Sequence, residues 1–166
     1  MRLTSVFFGL AALGASAAFA APAPQADTVL PASVQLAQAG YAELAKGQPQ
    51  AAIDSFESAL AIDPRNRLAY IGMARASQTQ GLSGKAVKYY REALQLEPND
   101  LAALQGQGEA LALRGAKAAA QANLERIRQL CKGECAPAKA VATAIATAPK
   151  QVATATPAVP ATAAKN

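Results

Sequence analysis

Set against itself at an offset of 34 residues, the chain brings unlike residue types into fixed columns. Gly47 falls on Gly81 and Gly115, and Ala52 on Ala86 and Ala120. The register continues through Phe56, Tyr90 and Leu124, through Ala59, Ala93 and Ile127, and through Ile62, Leu96 and Leu130. Pro64 meets Pro98, and the next step ends on Lys132. Alanine content alone produces Ala-on-Ala matches, but not glycine, aromatic and proline columns in one register. A period of this length marks one supersecondary unit that cannot bury its apolar face alone, so units must stack.

Each column has a physical reason. The glycines sit where a helix must end in left-handed backbone, which costs nothing without a Cβ. The alanines mark close approach of two helix backbones, where a larger side chain would separate them. Phe56, Tyr90 and Leu124 are the large apolar side chains expected to fill the space between hairpins. Pro64 and Pro98 disfavour helix just before them, and Asn66 and Asp100 are good N-caps for the next helix. This spacing predicts helices near 33–46, 50–62, 67–80, 84–96, 101–114 and 117–130, paired as three antiparallel hairpins.

The pattern resembles the tetratricopeptide repeat, strongly over 33–66 and 67–100 and in degenerate form over 101–134. The second unit carries the resemblance best, with Tyr70, Met73, Ala74, Gly81, Ala86, Tyr90, Ala93 and Pro98 in the family's order. The first has Leu36 for its early aromatic and Glu43 for a later one, and the third has no aromatic residue. The resemblance implies an all-α fold, a right-handed superhelical stack of about three hairpins whose first helices line a concave groove. With Leu36, Tyr70, Met73, Leu104 and Leu111 assigned to the core, Tyr41, Ile71, Arg75, Gln78, Gln105 and Glu109 are the expected groove residues. Such a surface suits a peptide with an apolar anchor near Tyr41 and Ile71 and an acidic group near Arg75. Arg75 stands alone there, without the set of Lys, Arg and Asn by which one subfamily captures C-terminal carboxylates.

The flanks read differently. Arg2 precedes an uncharged run from Leu3 to Phe19, and Ala18-Phe19-Ala20 offers small residues to a signal peptidase, so residues 1–20 are expected to be a signal peptide cleaved after Ala20. Pro22 and Pro24 come directly behind it, and the run is marginal for crossing ~30 Å of hydrocarbon, so no stable membrane insertion is expected. The alanine-rich leader resembles those of Gram-negative bacteria, which would place the mature chain in the periplasm. Residues 21–32 read as a linker and 135–148 as a capping helix, with Pro137 in its first turn and Val141 and Ile145 on one face. Residues 149–166 have too few large side chains to order themselves.

Composition narrows the function. The chain of 166 residues has no histidine, the side chain best suited to proton transfer near neutral pH and the commonest metal ligand. No nucleophile–base pair, phosphate-binding glycine loop or paired carboxylates can be placed together, so neither enzyme activity nor a cofactor is expected. The net charge of +5 is too small and dispersed for a nucleic-acid partner. Cys131 and Cys135 are expected to form a structural disulfide in an exported protein; three intervening residues differ from the redox spacing, and no further ligand completes a zinc site. The expected function is therefore a non-enzymatic interaction module for a protein or peptide. The alternative is a structural envelope protein binding anionic wall polymers through its tail and the basic residues Arg65, Arg67, Arg75, Lys85, Lys88 and Arg91, a run without an acid among them.

Overall fold

The computed structural model describes residues 28–148, and among them seven α-helices and no strand. These are α1 (Pro31–Ala45), α2 (Pro49–Ile62), α3 (Arg67–Thr79), α4 (Ser83–Leu96), α5 (Leu101–Leu113), α6 (Lys117–Cys131) and α7 (Ala136–Thr147). The expected signal peptide and C-terminal tail lie outside the described residues. Helix ends fall within two residues of the expected spans, because the signals that set them are chemically sharp. Gly47, Gly81 and Gly115 turn each hairpin at φ of 72°, 72° and 76°. Nothing lies within 4 Å of a Cβ built at Gly47 or Gly81, so it is the left-handed backbone, not crowding, that requires glycine there. Asn66 caps α3 by accepting from Ala69 N–H at 3.2 Å, and Asp100 caps α5 by accepting from Ala103 N–H at 2.8 Å.

The helices form hairpins α1/α2, α3/α4 and α5/α6, stacked in chain order. Ala52, Ala86 and Ala120 are wholly buried where second helices meet first ones. Phe56 is fully buried and lies over two mid-helix glycines: a Cβ on Gly40 in its own hairpin would stand 2.6 Å from the ring, and one on Gly72 in the next hairpin would overlap it. Tyr90 occupies the equivalent place in the second unit, its ring against Gly106 of α5. Burying such a ring contributes on the order of 1.5–3 kcal/mol, and the absent Cβ atoms let it approach the helix backbone.

The first two units also close on themselves through their first and last residues. In the first, Ser33 Oγ donates to the Ala59 carbonyl at 2.7 Å, while Asn66 Nδ2 donates to Ser33 Oγ at 2.8 Å and to the Ser33 carbonyl at 3.1 Å. In the second, Arg67 pairs with Asp100. Beside the first clasp, the N–H groups of Leu30 and Arg65 donate to the buried Asp63 and hold its carboxyl below the usual carboxylate range.

In the third unit Leu124 replaces the aromatic ring, in a cluster with Leu104, Ile127, Ala138 and Val141. The last two belong to α7, which covers the open end of α5/α6. It occupies the place of the first helix of a further unit. Cys131 and Cys135 are joined as a disulfide across the turn that leads into it, beside Lys132 at φ 56° and Gly133 at φ 139°. Arg128 Nε donates to Glu134 Oε1 across the same turn at 2.9 Å.

Candidate peptide-binding groove

The first helices α1, α3 and α5 pack side by side. Tyr41, Arg75 and Glu109 occupy one column on them, at intervals of 34 residues. Tyr41 is half-buried, edge-on to Phe56 with ring centroids 5.1 Å apart, and its hydroxyl donates to the Leu68 carbonyl at 2.8 Å. Burial raises its pKa, while the nearby Arg75 and Arg67 charges act in the opposite direction. The exposed Arg75 guanidinium stands over the Tyr41 ring, 5.8 Å from its centre, a favourable cation–π placement.

Between α3 and α5 lies a cleft of about 160 Å³, lined chiefly by Arg75, Gln78, Tyr90, Gln105, Gly106 and Glu109. Four of the six residues expected on the groove therefore share one site, and Tyr41 adjoins it through Arg75. Gln78 Oε1 accepts from the Tyr90 hydroxyl at 2.7 Å, and Gln105 Nε2 donates to Glu109 Oε1 at 2.9 Å. Burial pushes the Tyr90 pKa up to about 12, so the phenol remains a donor. The lining supplies guanidinium and amide donors, carbonyl and carboxylate acceptors, and a single acid, an inventory suited to holding a ligand.

Ile71 corrects the expectation. It is only 2% exposed and packs with Ala74, Val87, Tyr90 and Ala103. A pattern of apolar and polar positions describes a helix with one buried face, but α3 is enclosed by α1, α2, α4 and α5 and keeps only a narrow exposed stripe. Leu68, whose carbonyl accepts from Tyr41, has an exposed apolar side chain two turns before Arg75 on α3. Tyr90 is the residue that sequence reasoning missed in the cleft. Its column marks it as core, which it is, yet its hydroxyl was the available signal, since a buried phenol seeks a polar partner.

On the other side of the stack, Lys85, Lys88 and Arg91 are all exposed on α4 and form no salt bridge among the described residues. Lys85 borders a second cleft of about 190 Å³ floored by Met73 and Ser77, with Glu57 also in its lining.

The family model of the tetratricopeptide repeat matches residues 36–66 and 69–100. Residues 36–66 and 69–100 are two tetratricopeptide repeats. The matched stretches cover most of the two self-closing units, without Ser33 and Arg67, and stop short of the third, where the aromatic residue is missing. Among solved structures, the Sgt2 tetratricopeptide repeat domain from Aspergillus fumigatus is similar with a TM-score of 0.65 and 24% identity, over 74% of this chain and 82% of that one. The first tetratricopeptide repeat domain of Spaghetti (RPAP3), bound to the HSP90 peptide SRMEEVD, is similar with a TM-score of 0.63 and 19% identity, over 70% and 97%. The Yersinia enterocolitica type III secretion chaperone SycD, in complex with a peptide of the translocator YopD, gives 0.62 and 16% over 68% and 88%. These likenesses show a shared fold. No curated protein matches the chain in sequence.

Proposed function

We propose that this tetratricopeptide repeat protein is a non-enzymatic adaptor that binds a partner peptide or protein in the groove along α1, α3 and α5, in the periplasm after removal of residues 1–20. The observation that carries the reading is the Tyr41, Arg75 and Glu109 column with the polar cleft beside it. The first helices of three successive hairpins present an aromatic, a cationic and an anionic group at equivalent positions. Two similar folds, those of RPAP3 and SycD, were solved with peptides bound, which supports the same use of this face.

Affinity capture from periplasmic extract tests the reading. A specific partner is expected with the native chain and is lost with Tyr41→Ala combined with Arg75→Ala. Arg75→Glu alone, a change at an exposed position, should weaken capture while costing no more than about 1 kcal/mol of stability, the size of an exposed cation–π contact. Undiminished recovery with both variants would remove the groove from the account. N-terminal sequencing of the exported chain is expected to begin at Ala21, and an intact Met1 would refute export by cleavage.

The alternative, binding of anionic wall polymers, draws on the exposed Lys85, Lys88 and Arg91. Co-sedimentation with isolated cell wall that disappears on neutralising these three residues would favour it over the adaptor reading.

A further inference from the structure

We propose that the cleft between α3 and α5 is a pocket for a side-chain carboxamide, so that the bound peptide places a glutamine or asparagine between Gln78 and Gln105. The inference rests on the groove reading above and gives it a specificity.

The two walls are opposite in hydrogen-bonding character. On α3, the Gln78 carbonyl oxygen is held by the Tyr90 hydroxyl at 2.7 Å, which leaves the Gln78 amide nitrogen to donate into the cleft. Tyr90 keeps its proton far above neutral pH and so can donate to Gln78. Arg75, which can only donate, stands on the same wall. On α5, the Gln105 amide nitrogen is held by Glu109 Oε1 at 2.9 Å, which leaves the Gln105 carbonyl oxygen and the second Glu109 oxygen to accept.

One wall therefore donates from two groups and the other accepts with two. A carboxamide has the matching pair of functions: a carbonyl oxygen with two lone pairs and an NH₂ with two hydrogens. A main-chain peptide bond has one N–H and leaves an acceptor unmatched. A carboxylate would meet Arg75 favourably but face Glu109 with a like charge, and an ammonium group would meet the reverse. An aliphatic side chain would leave both walls unpaired.

The test is selection of a random peptide library on the full chain, with binding then measured for the selected peptides. Enrichment of glutamine or asparagine at one position is expected. Replacing that residue by glutamate or lysine should weaken binding about tenfold or more, the effect of one unmatched hydrogen bond or like charge. The variant Gln78→Glu keeps an acceptor for Tyr90 but removes the donor, and it should invert the preference so that the lysine peptide outcompetes the glutamine one, which a merely structural role of Gln78 would not produce. Selected peptides that lose affinity with Arg75→Ala yet show no carboxamide preference would overturn the pocket while leaving the groove reading intact. Peptides indifferent to Arg75→Ala, or no selected peptide at all, would overturn both.

Discussion

The two halves of the stack solve one packing problem with different materials. From α1 to α4, each unit is locked by an aromatic ring seated on glycines of neighbouring helices and by a polar clasp between its first and last residues. From α5 to α7 the ring is replaced by Leu124, the clasp is missing because Leu101 stands where Ser33 and Arg67 stand earlier, and Glu134 turns to Arg128 instead. A disulfide and an added helix cover the end. A rigid ring meeting backbone tolerates little adjustment, whereas branched aliphatics against a terminal helix can resettle. The difference predicts a stiff first half and a more compliant second half.

The sharpest way to break that comparison is to remove the central side chain of each half. Phe56→Ala should cost about 3–5 kcal/mol in denaturant unfolding, with Leu124→Ala nearer the low end of the ~2–5 kcal/mol range for such changes because α7 can close onto the vacated space. Equal losses would mean that the halves do not differ. Next in size is Gly72→Ala, which gains about 1 kcal/mol of helix propensity yet should lower thermal stability by about 1–3 kcal/mol overall, since its methyl would overlap the Phe56 ring. A Cβ on Gly108 would meet Val141 Cγ1 at 2.9 Å and Cγ2 at 3.0 Å, so Gly108→Ala requires α7 to shift slightly and should cost less than Gly72→Ala.

Reduction of Cys131–Cys135 should remove about 2 kcal/mol, the value for so short a closed loop. The effect belongs to one end, so amide exchange should quicken in α7 and the last turn of α6 and remain unchanged in α1 to α4; uniform acceleration would contradict independent halves. The last effect is alkaline. All four tyrosines lie in α1, α3 and α4, and Tyr90 is raised to about 12 chiefly by burial. A folded pKa above the unfolded value near 10 means stability that is complete below about pH 10 and lost as pH rises toward 12. Tyrosinate absorbance should show Tyr90 ionising together with loosening of the first half, and Tyr90→Phe should reduce that coupling to the part left by Tyr41 and Tyr70, which burial also raises.

Helix positions, turns and the main core residues were legible in the sequence because they rest on residues with strong local consequences: glycine at positive φ, Asn66 and Asp100 as caps, and the aromatic column. The groove was legible in part. Arg75, Gln78, Gln105 and Glu109 could be brought together because the resemblance to the tetratricopeptide repeat implies a groove along the first helices, where equivalent positions share a face. Ile71 could not be placed correctly, because a helical pattern does not reveal how many neighbours enclose the helix. Gly72 and Gly106 passed unnoticed as ring seats, although a glycine inside a helix is costly enough to ask for a reason. The donor and acceptor walls of the cleft depend on which end of each amide a neighbour holds, and no spacing rule encodes that.

The clasp between Arg67 and Asp100 has an architectural implication. Because the second unit is closed by its own termini, a duplicate of residues 67–100 spliced in after Asp100 would arrive with its latch already made. Its copy of Gly72 would receive the ring of Tyr90 as Gly106 does now, and its copy of Asp100 would begin α5 unchanged. The middle module is thus compatible with itself, and a longer array is accessible by tandem duplication, with no new junction to be invented.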